Sequence, residues 1–253
     1  MKQLINEMLE TSGKIALDNL GKVSSISKGY KDVVTQADLK INEFISSKIK
    51  ARFSEHCIIT EEAPIVNKNS KYKWIIDPID GTINYSHGIP FYCISIAVAE
   101  NDIVIVGAVY APSLKQMFFA QKGKCAYLNN QKISVSNKSA ANSLIFYSPG
   151  IAPDDMKIEM QKKIVAEFER SRDYGALALE LAYVAAGFAD GVARFDSASH
   201  VWDYAAGKLL VEESGGKVTD FSGKKILLAD KSDIVATNAL IHDNLLNIIK
   251  NKR

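Results

Sequence analysis

Apolar residues recur at Leu4, Ile5, Met8, Leu9, Ile15, Ala16 and Leu20. Spacings of three and four lay them along one stripe of a helix over residues 1–20. A second stripe, Leu39, Ile41, Phe44, Ile45 and Ile49, follows Thr35 and predicts a helix ending near Arg52. Thr35 or Asp38 is suited to cap its start, because a short oxygen side chain accepts a first-turn amide hydrogen. The pattern then shortens. Cys57-Ile58-Ile59 and Trp74-Ile75-Ile76 are brief continuous apolar runs and read as strands. Between them APIVNKNSKYK, residues 63–73, is polar enough to read as an exposed, mobile loop.

Residues 91–128 read as a meander of strands: FYCISIAVAE, IVIVGAVYAP, QMFFAQ and CAYLN. Asn101-Asp102, Pro112-Ser113 and Lys122-Gly123 punctuate it as turns. Residues 129–142 form a polar connector, which divides the chain into halves 1–140 and 141–253. The second half opens with the strand SLIFYS and a helix over about 153–170. A small-residue helix follows at 175–187, then a strand at 191–195 and a helix at 202–214. Strands at 217–219 and 234–237 and a closing helix at 239–250 complete the chain. Strands and helices that mix without strict alternation predict a layered α/β (α+β) architecture with mixed sheets.

Composition narrows the class. The 253 residues are 47% apolar and 24% charged, ordinary for a globular protein. A net charge of +2 and scattered lysines give no basic stripe for nucleic acid or an acidic membrane. Cys57, Cys93 and Cys125 lie far apart with no CxxC, which points to a reducing compartment and away from a thiolate metal site. Cys57 and Cys93 sit in apolar runs and read as core. No apolar run nears the roughly 18 residues of a membrane span, and MKQLINEMLE reads as an amphipathic helix rather than a signal peptide. The expectation is a cytoplasmic protein.

The acids change the picture further. Carboxylates stand at the ends of apolar elements in four places: Asp32 and Asp38, Glu61 and Glu62, Asp77 and Asp80, and Asp203. Each alone is explained as a helix cap, a solvated loop or a turn. Together they suit a hard divalent cation such as Mg²⁺, which takes oxygen ligands and needs neither thiolate nor imidazole. In IIDPIDGT an odd spacing would send Asp77 and Asp80 to opposite faces of a continuing strand. Pro78 is expected to end the strand, turning both carboxylates to one place and freeing the Ile79 carbonyl as a further oxygen donor. Gly81-Thr82 would then open a helical turn whose free N–H groups meet phosphate oxygens. An Asp-Gly hairpin is the competing reading, but Asp-Pro-Ile-Asp-Gly-Thr is too elaborate for a two-residue loop. His87 and His200 fall in loops with no nucleophile beside them.

These residues carry a resemblance. WIIDPIDGTINY and WDYAAGKLLVEESGG look like the two signatures of the inositol monophosphatase family, of the wider Mg²⁺-dependent, lithium-sensitive phosphatase superfamily. DVVTQADLKINEFI and the Glu61-Glu62 pair are similar to its upstream elements, and the match runs in order from about residue 28 to 220. The resemblance implies an αβαβα sandwich, shared with fructose-1,6-bisphosphatase, and a homodimer. It implies two to three Mg²⁺ per site. Glu61, Asp77 and the Ile79 carbonyl would hold the first, Asp77, Asp80 and Asp203 the second, and Glu61 and Asp77 a weaker third. Thr82 would hydrogen-bond the attacking water, and Asp38 would accept from Thr82.

Substrate contacts implied by the resemblance are Asp80, Gly81 and Thr82, with Asp196 where the family usually carries Glu. Ala176 stands where it commonly has Ser or Thr. Arg194 offers a contact to a second phosphate, set against a plain surface arginine, and Lys28 lies in a loop that places a lysine near phosphate in relatives. The implied activity is Mg²⁺-dependent hydrolysis of inositol monophosphate or a similar phosphorylated polyol or sugar. The alternatives are a 3′-phosphoadenosine 5′-phosphate phosphatase, a fructose-1,6-bisphosphatase, and a non-enzymatic transcription- or RNA-associated factor.

Overall fold

The computed structural model describes residues 1–22, 26–29, 32–149, 154–195, 199–228 and 231–250, with 26–29 and 32–34 described as backbone. Two helices open the chain, α1 (Lys2–Asn19) and α2 (Gln36–Arg52), around a small antiparallel pair, β1 (Ile26–Gly29) and β2 (Asp32–Val34). Both candidates for the second helix's cap are used. Thr35 is the N-cap and accepts from the Ala37 and Asp38 amides, while the Asp38 carboxylate accepts from the Thr35 N–H, closing a capping box.

The first sheet has eight strands: β3 (Cys57–Thr60), β4 (Ala63–Val66), β5 (Tyr72–Asp80), β6 (Cys93–Glu100), β7 (Ile103–Ala111), β8 (Gln116–Gln121), β9 (Ala126–Leu128) and β10 (Gln131–Ile133). Their spatial order is β10-β9-β8-β7-β6-β5-β3-β4. Only the β3–β5 pair is parallel. A short helix, α3 (Thr82–Ser86), interrupts it after β5. The second sheet has five strands in the order β12-β11-β13-β15-β14. They are β11 (Leu144–Ser148), β12 (Arg170–Arg172), β13 (Gly191–Arg194), β14 (Lys217–Thr219) and β15 (Ile234–Thr237). Four helices complete this half: α4 (Asp155–Glu167), α5 (Leu177–Ala185), α6 (Val201–Glu213) and α7 (His242–Lys250).

Side-chain alternation sorts these elements into five layers. On β6, Ile94, Ile96 and Val98 face the stripe of α1 and α2, with Ile5, Met8, Ile41 and Ile45. Cys93, Ala97 and Ala99 face the other way, onto α5 and α6, where Leu181, Tyr204 and Leu210 lie. Phe146 and Val192 close that middle core from the second sheet. Tyr147, Ala193 and Val235 on its far face pack under Met160, Ile164, Leu245 and Ile249 of α4 and α7. The expected αβαβα order is therefore the observed one, and the buried α5 and α6 read as apolar on nearly every side because they have a sheet on each face. Among the described residues no helix is long and apolar enough to cross a membrane.

Three sequence expectations are corrected here. Ala63–Val66, read as loop, is an edge strand paired antiparallel to β3. Gln131–Ile133, inside the polar connector, pairs with β9. Arg170–Arg172, expected at a helix end, is the outer strand beside β11. All three are short edge strands with little apolar alternation, so the period-two signal is missing.

Candidate metal centre

The strand β5 does not stop at Pro78. It runs through to Asp80, and its pairing with β6 steps from Asp77↔Ser95 to Asp80↔Cys93. Three residues on one strand thus span two on the other, which is a β-bulge. The expectation that Pro78 ends the strand is corrected, and the bulge does the turning instead. The parallel partner β3 ends at the Thr60↔Ile76 pair, so the missing N–H of Pro78 leaves no β3 bond unmade. The extra residue cancels the odd spacing and sends both carboxylates the same way. The hairpin reading fails, because Gly81 caps α3 rather than a returning strand.

Asp203 arrives from the other half, in the first turn of α6. His200 precedes that helix and its N–H donates to Asp203 Oδ2 at 2.7 Å. Ser95 on β6 donates to the Trp202 carbonyl at 3.4 Å and ties the start of α6 to the first sheet. Carboxylate oxygens of Asp77, Asp80 and Asp203 come within 4.8 Å of one another. Asp77 is 2% exposed and Asp80 7% exposed.

Burial pushes the Asp77 carboxyl well above the usual carboxylate range, and the charges of Glu61, Asp80, Asp203 and Asp38 push it further. Burial, then Asp80, acts likewise on Asp203. Asp80 is raised to about 7, by burial first and then by Glu180. Asp38 is raised to about 6 by burial, against the opposing pull of its Thr35 hydrogen bonds. Glu61, one residue past β3, stands outside the tight triad but close enough to act on both Asp77 and Asp203.

Buried carboxylates crowded in this way are costly unless a cation compensates them. Asp77 Oδ1 is buried and accepts no hydrogen bond from the protein. A donor set made only of oxygen, with one buried oxygen left over, fits a hard divalent cation of the Mg²⁺ type.

The remaining site residues fall unevenly. Gly81 is left-handed at φ +86, as a glycine N-cap can be. A Cβ there would sit 2.9 Å from the Ala176 Cβ and 3.2 Å from the Phe91 carbonyl, so the loop before α5 closes over this turn. Thr82 and Asp38, expected to bond each other, have other partners. The Thr82 hydroxyl donates to the Ile79 carbonyl at 2.9 Å, and Asp38 Oδ2 is drawn into its capping box with Thr35. A hydroxyl in the first turn of a short helix reaches back to the carbonyl three residues earlier more readily than across to another element. That bond uses one of the two lone pairs of the Ile79 oxygen and leaves the other.

Arg194 is not a surface arginine. It is 6% exposed on β13 and held by Glu180 and Asp173. Ala176 is buried as the N-cap of α5. Asp196 and the side chains of Asp32 and Lys28 lie outside the described residues.

Sequence reasoning missed the groups that position the predicted residues. Asp80 Oδ2 accepts from the Ala178 and Leu179 amides at 2.7 and 3.4 Å and from the Cys93 thiol at 3.5 Å. Asn84 donates to the carbonyls of Phe91, at 2.8 Å, and Tyr174, at 2.5 Å. Glu180 is wholly buried. A signal for it existed: one acid inside the otherwise apolar GALALELAYVAAG, which burial permits only with a partner.

A layered α/β sandwich with an acidic, all-oxygen centre where its two sheets meet defines a candidate metal-dependent phosphatase class. The chain belongs to the inositol monophosphatase family, whose model matches residues 2–253. It is 35% identical to a fructose-1,6-bisphosphatase/inositol-1-monophosphatase of Thermotoga maritima, over 96% of this chain and 93% of the other. It is 37% identical to a Nus factor SuhB of Vibrio cholerae, over 82% and 79%. A solved IMPase structure from Thermotoga maritima matches with a TM-score of 0.90 at 33% identity, covering 100% and 98% of the two chains.

Proposed function

We propose that this protein is a divalent-cation-dependent phosphomonoester hydrolase acting on inositol monophosphate or a similar small phosphorylated polyol or sugar. The observation that carries the reading is the convergence of Asp77, Asp80 and Asp203 within 4.8 Å, with a buried oxygen of Asp77 left unpartnered. A phosphate monoester is a dianion that repels hydroxide, and its spontaneous hydrolysis is among the slowest known. A cation held by these acids, Mg²⁺ in this reading, supplies positive charge at the ester and an activated water.

The chain's own groups do the rest. Asp77, with one buried oxygen unpartnered, would hold the cation from the centre of the cluster. Asp80 is steered by the α5 amides, which fix one of its oxygens and aim the other into the site. Asp203 is steered in the same way by the His200 amide. Glu61 at the rim is placed to orient water. Thr82, whose hydroxyl donates to the Ile79 carbonyl, keeps acceptor capacity toward that water.

Arg194 bears on the substrate. Its guanidinium is engaged by Glu180 and Asp173, so it is not displayed to a second phosphate. That supports a monophosphate over a bisphosphate. The name of the Thermotoga relative keeps fructose 1,6-bisphosphate as the second reading, and the SuhB relative motivates a test of transcription-complex binding. Pairing of two copies belongs to the same proposal. It is supported by the exposed Tyr174 and Phe188, joined through Phe91 and Tyr183 into one aromatic surface.

The test is phosphate release from inositol 1-phosphate, 3′-phosphoadenosine 5′-phosphate and fructose 1,6-bisphosphate under identical conditions, with and without Mg²⁺ and with added Li⁺. The expected result is Mg²⁺-dependent, Li⁺-inhibited turnover with the inositol ester preferred. Turnover that persists after chelation rejects the metal reading, and preference for either bisphosphate rejects the substrate reading.

A further inference from the structure

One wall of the site is held by a buried ion pair that none of the metal chemistry uses. Glu180, in the first turn of α5, is fully buried. Its Oε1 accepts from the backbone amides of Tyr174, at 3.1 Å, and Gly175, at 3.2 Å. Its Oε2 accepts from the Arg194 guanidinium, which also lies 3.5 Å from Asp173. The segment so held, 173–176, carries Gly175 at φ +70 and is pinned again where Asn84 donates to the Tyr174 carbonyl. It closes directly on the turn after the two aspartates. The Cβ position of Gly81 lies 2.9 Å from the Ala176 Cβ and 3.5 Å from the Gly175 carbonyl. Two residues past Ala176, the same helix start donates to Asp80.

A buried pair of this kind is poor value as a stabiliser. Apolar residues of similar volume commonly serve as well or better, because taking both charges out of water costs about what their attraction returns. What an apolar pair cannot do is accept two backbone amides and fix a left-handed turn. The Arg194 Nε, buried and without a partner, shows that the guanidinium is placed for Glu180 and Asp173 rather than for its own full satisfaction.

We infer that Glu180, backed by Arg194, is a positioning residue: it locks the 174–176 wall against Gly81 and thereby sets how the alcohol part of a substrate is seated beside the metal centre. The inference rests on the phosphomonoesterase reading for its kinetic consequence, but not for the locking itself.

The test compares the wild type with the double variant Glu180→Leu/Arg194→Met, which removes both charges together, and with Glu180→Gln, which keeps an acceptor for the two amides. Three quantities are read: kcat/KM for inositol 1-phosphate relative to p-nitrophenyl phosphate, Mg²⁺ affinity by calorimetry, and amide hydrogen exchange at Tyr174 and Gly175. In the double variant the discrimination ratio is expected to fall about tenfold or more, mostly through KM on the polyol ester. Mg²⁺ affinity should stay within about threefold, as for a group that holds no metal. Exchange at both amides should speed up at least tenfold, and Glu180→Gln should restore part of both effects.

An unchanged ratio in a folded double variant overturns the inference, as does unchanged protection of the two amides. A wild type that hydrolyses neither ester rejects the phosphatase reading instead, and the exchange measurement then decides the locking by itself. If the double variant does not fold, Glu180→Gln carries the test. Glu180→Ala, which removes the acceptor for the two amides, is then read beside it: faster exchange and a lowered ratio in Glu180→Ala that Glu180→Gln partly restores support the inference, and unaltered exchange and ratio in Glu180→Ala, against a lowered melting temperature, mark a purely structural pair.

Discussion

Asp77 sits where burial and four neighbouring acids all oppose its charge. Removing that charge should therefore act in opposite directions on catalysis and on the metal-free fold. Asp77→Asn is expected to lower phosphate release by about 10³-fold or more, the scale of losing a central electrostatic group. Without divalent cation the same variant should melt higher than wild type, since repulsion is relieved. Added Mg²⁺ should raise the melting temperature of the wild type but not of the variant, by linkage to the native state alone. Differential scanning calorimetry with and without chelator checks both signs; a wild type indifferent to the cation would count against the centre.

Gly81→Val tests the adjoining turn. A left-handed β-branched residue costs roughly 1–2 kcal/mol from backbone conformation, before the contact with Ala176 and the Phe91 carbonyl is added. Urea unfolding should show that loss or more, together with a fall in turnover. Gly81→Asn, which tolerates the left-handed region, should be milder in stability.

At the scale of elements, the bulge in β5 is the step that residue types did not disclose. Pro78 is expected to end the strand, but a strand with no partner left on one side absorbs a proline without ending. Helices α1 and α2 were legible because a one-sided stripe has a period that no other structure shares. The edge strands β4, β10 and β12 were not, because backbone pairing with a neighbour leaves little mark on two or three exposed side chains.

Helix α7 carries the pH dependence that belongs to this scale. His242 is buried in its first turn, with its ring nitrogens 2.9 Å from the Thr219 and Thr237 hydroxyls. Burial, helped by Lys217, lowers its pKa to about 4 from 6.5. The unfolded chain thus binds the proton more tightly than the folded one. The stability this residue contributes is complete above about pH 6.5 and drains away as pH falls to about 4, in total roughly 3 kcal/mol by linkage. The difference in unfolding free energy between wild type and His242→Asn, measured across that window, should shrink as the solution is acidified. A difference that does not vary with pH would refute it.

For the molecule as a whole, the candidate metal centre joins two sheets that fold from different parts of the chain. β5 delivers two aspartates, α6 the third, and α5 fixes one aspartate from behind. In the proposed reading, ligands drawn from both halves would make metal affinity sensitive to how the two sheets dock. The exposed aromatic surface is the other feature of this scale. Phe188→Glu places a charge at its rim, and sedimentation velocity is expected to show a dimeric wild type and a predominantly monomeric variant at micromolar concentration. A wild type that sediments as a monomer would sink the pairing proposal.

The sequence by itself determined the helices, a layered α/β class and the identity of the acids, because amphipathic period and residue chemistry are local properties of the chain, while the five-layer order was implied by the family resemblance. Tertiary structure alone decided that a bulge aligns Asp77 with Asp80, that Thr82 and Asp38 bond elsewhere, and that Arg194 is spent on Glu180. Those outcomes depend on which strand lies alongside, which amide is unpaired and which charge is left in the interior. Such facts exist only once distant segments have met and water has been excluded between them.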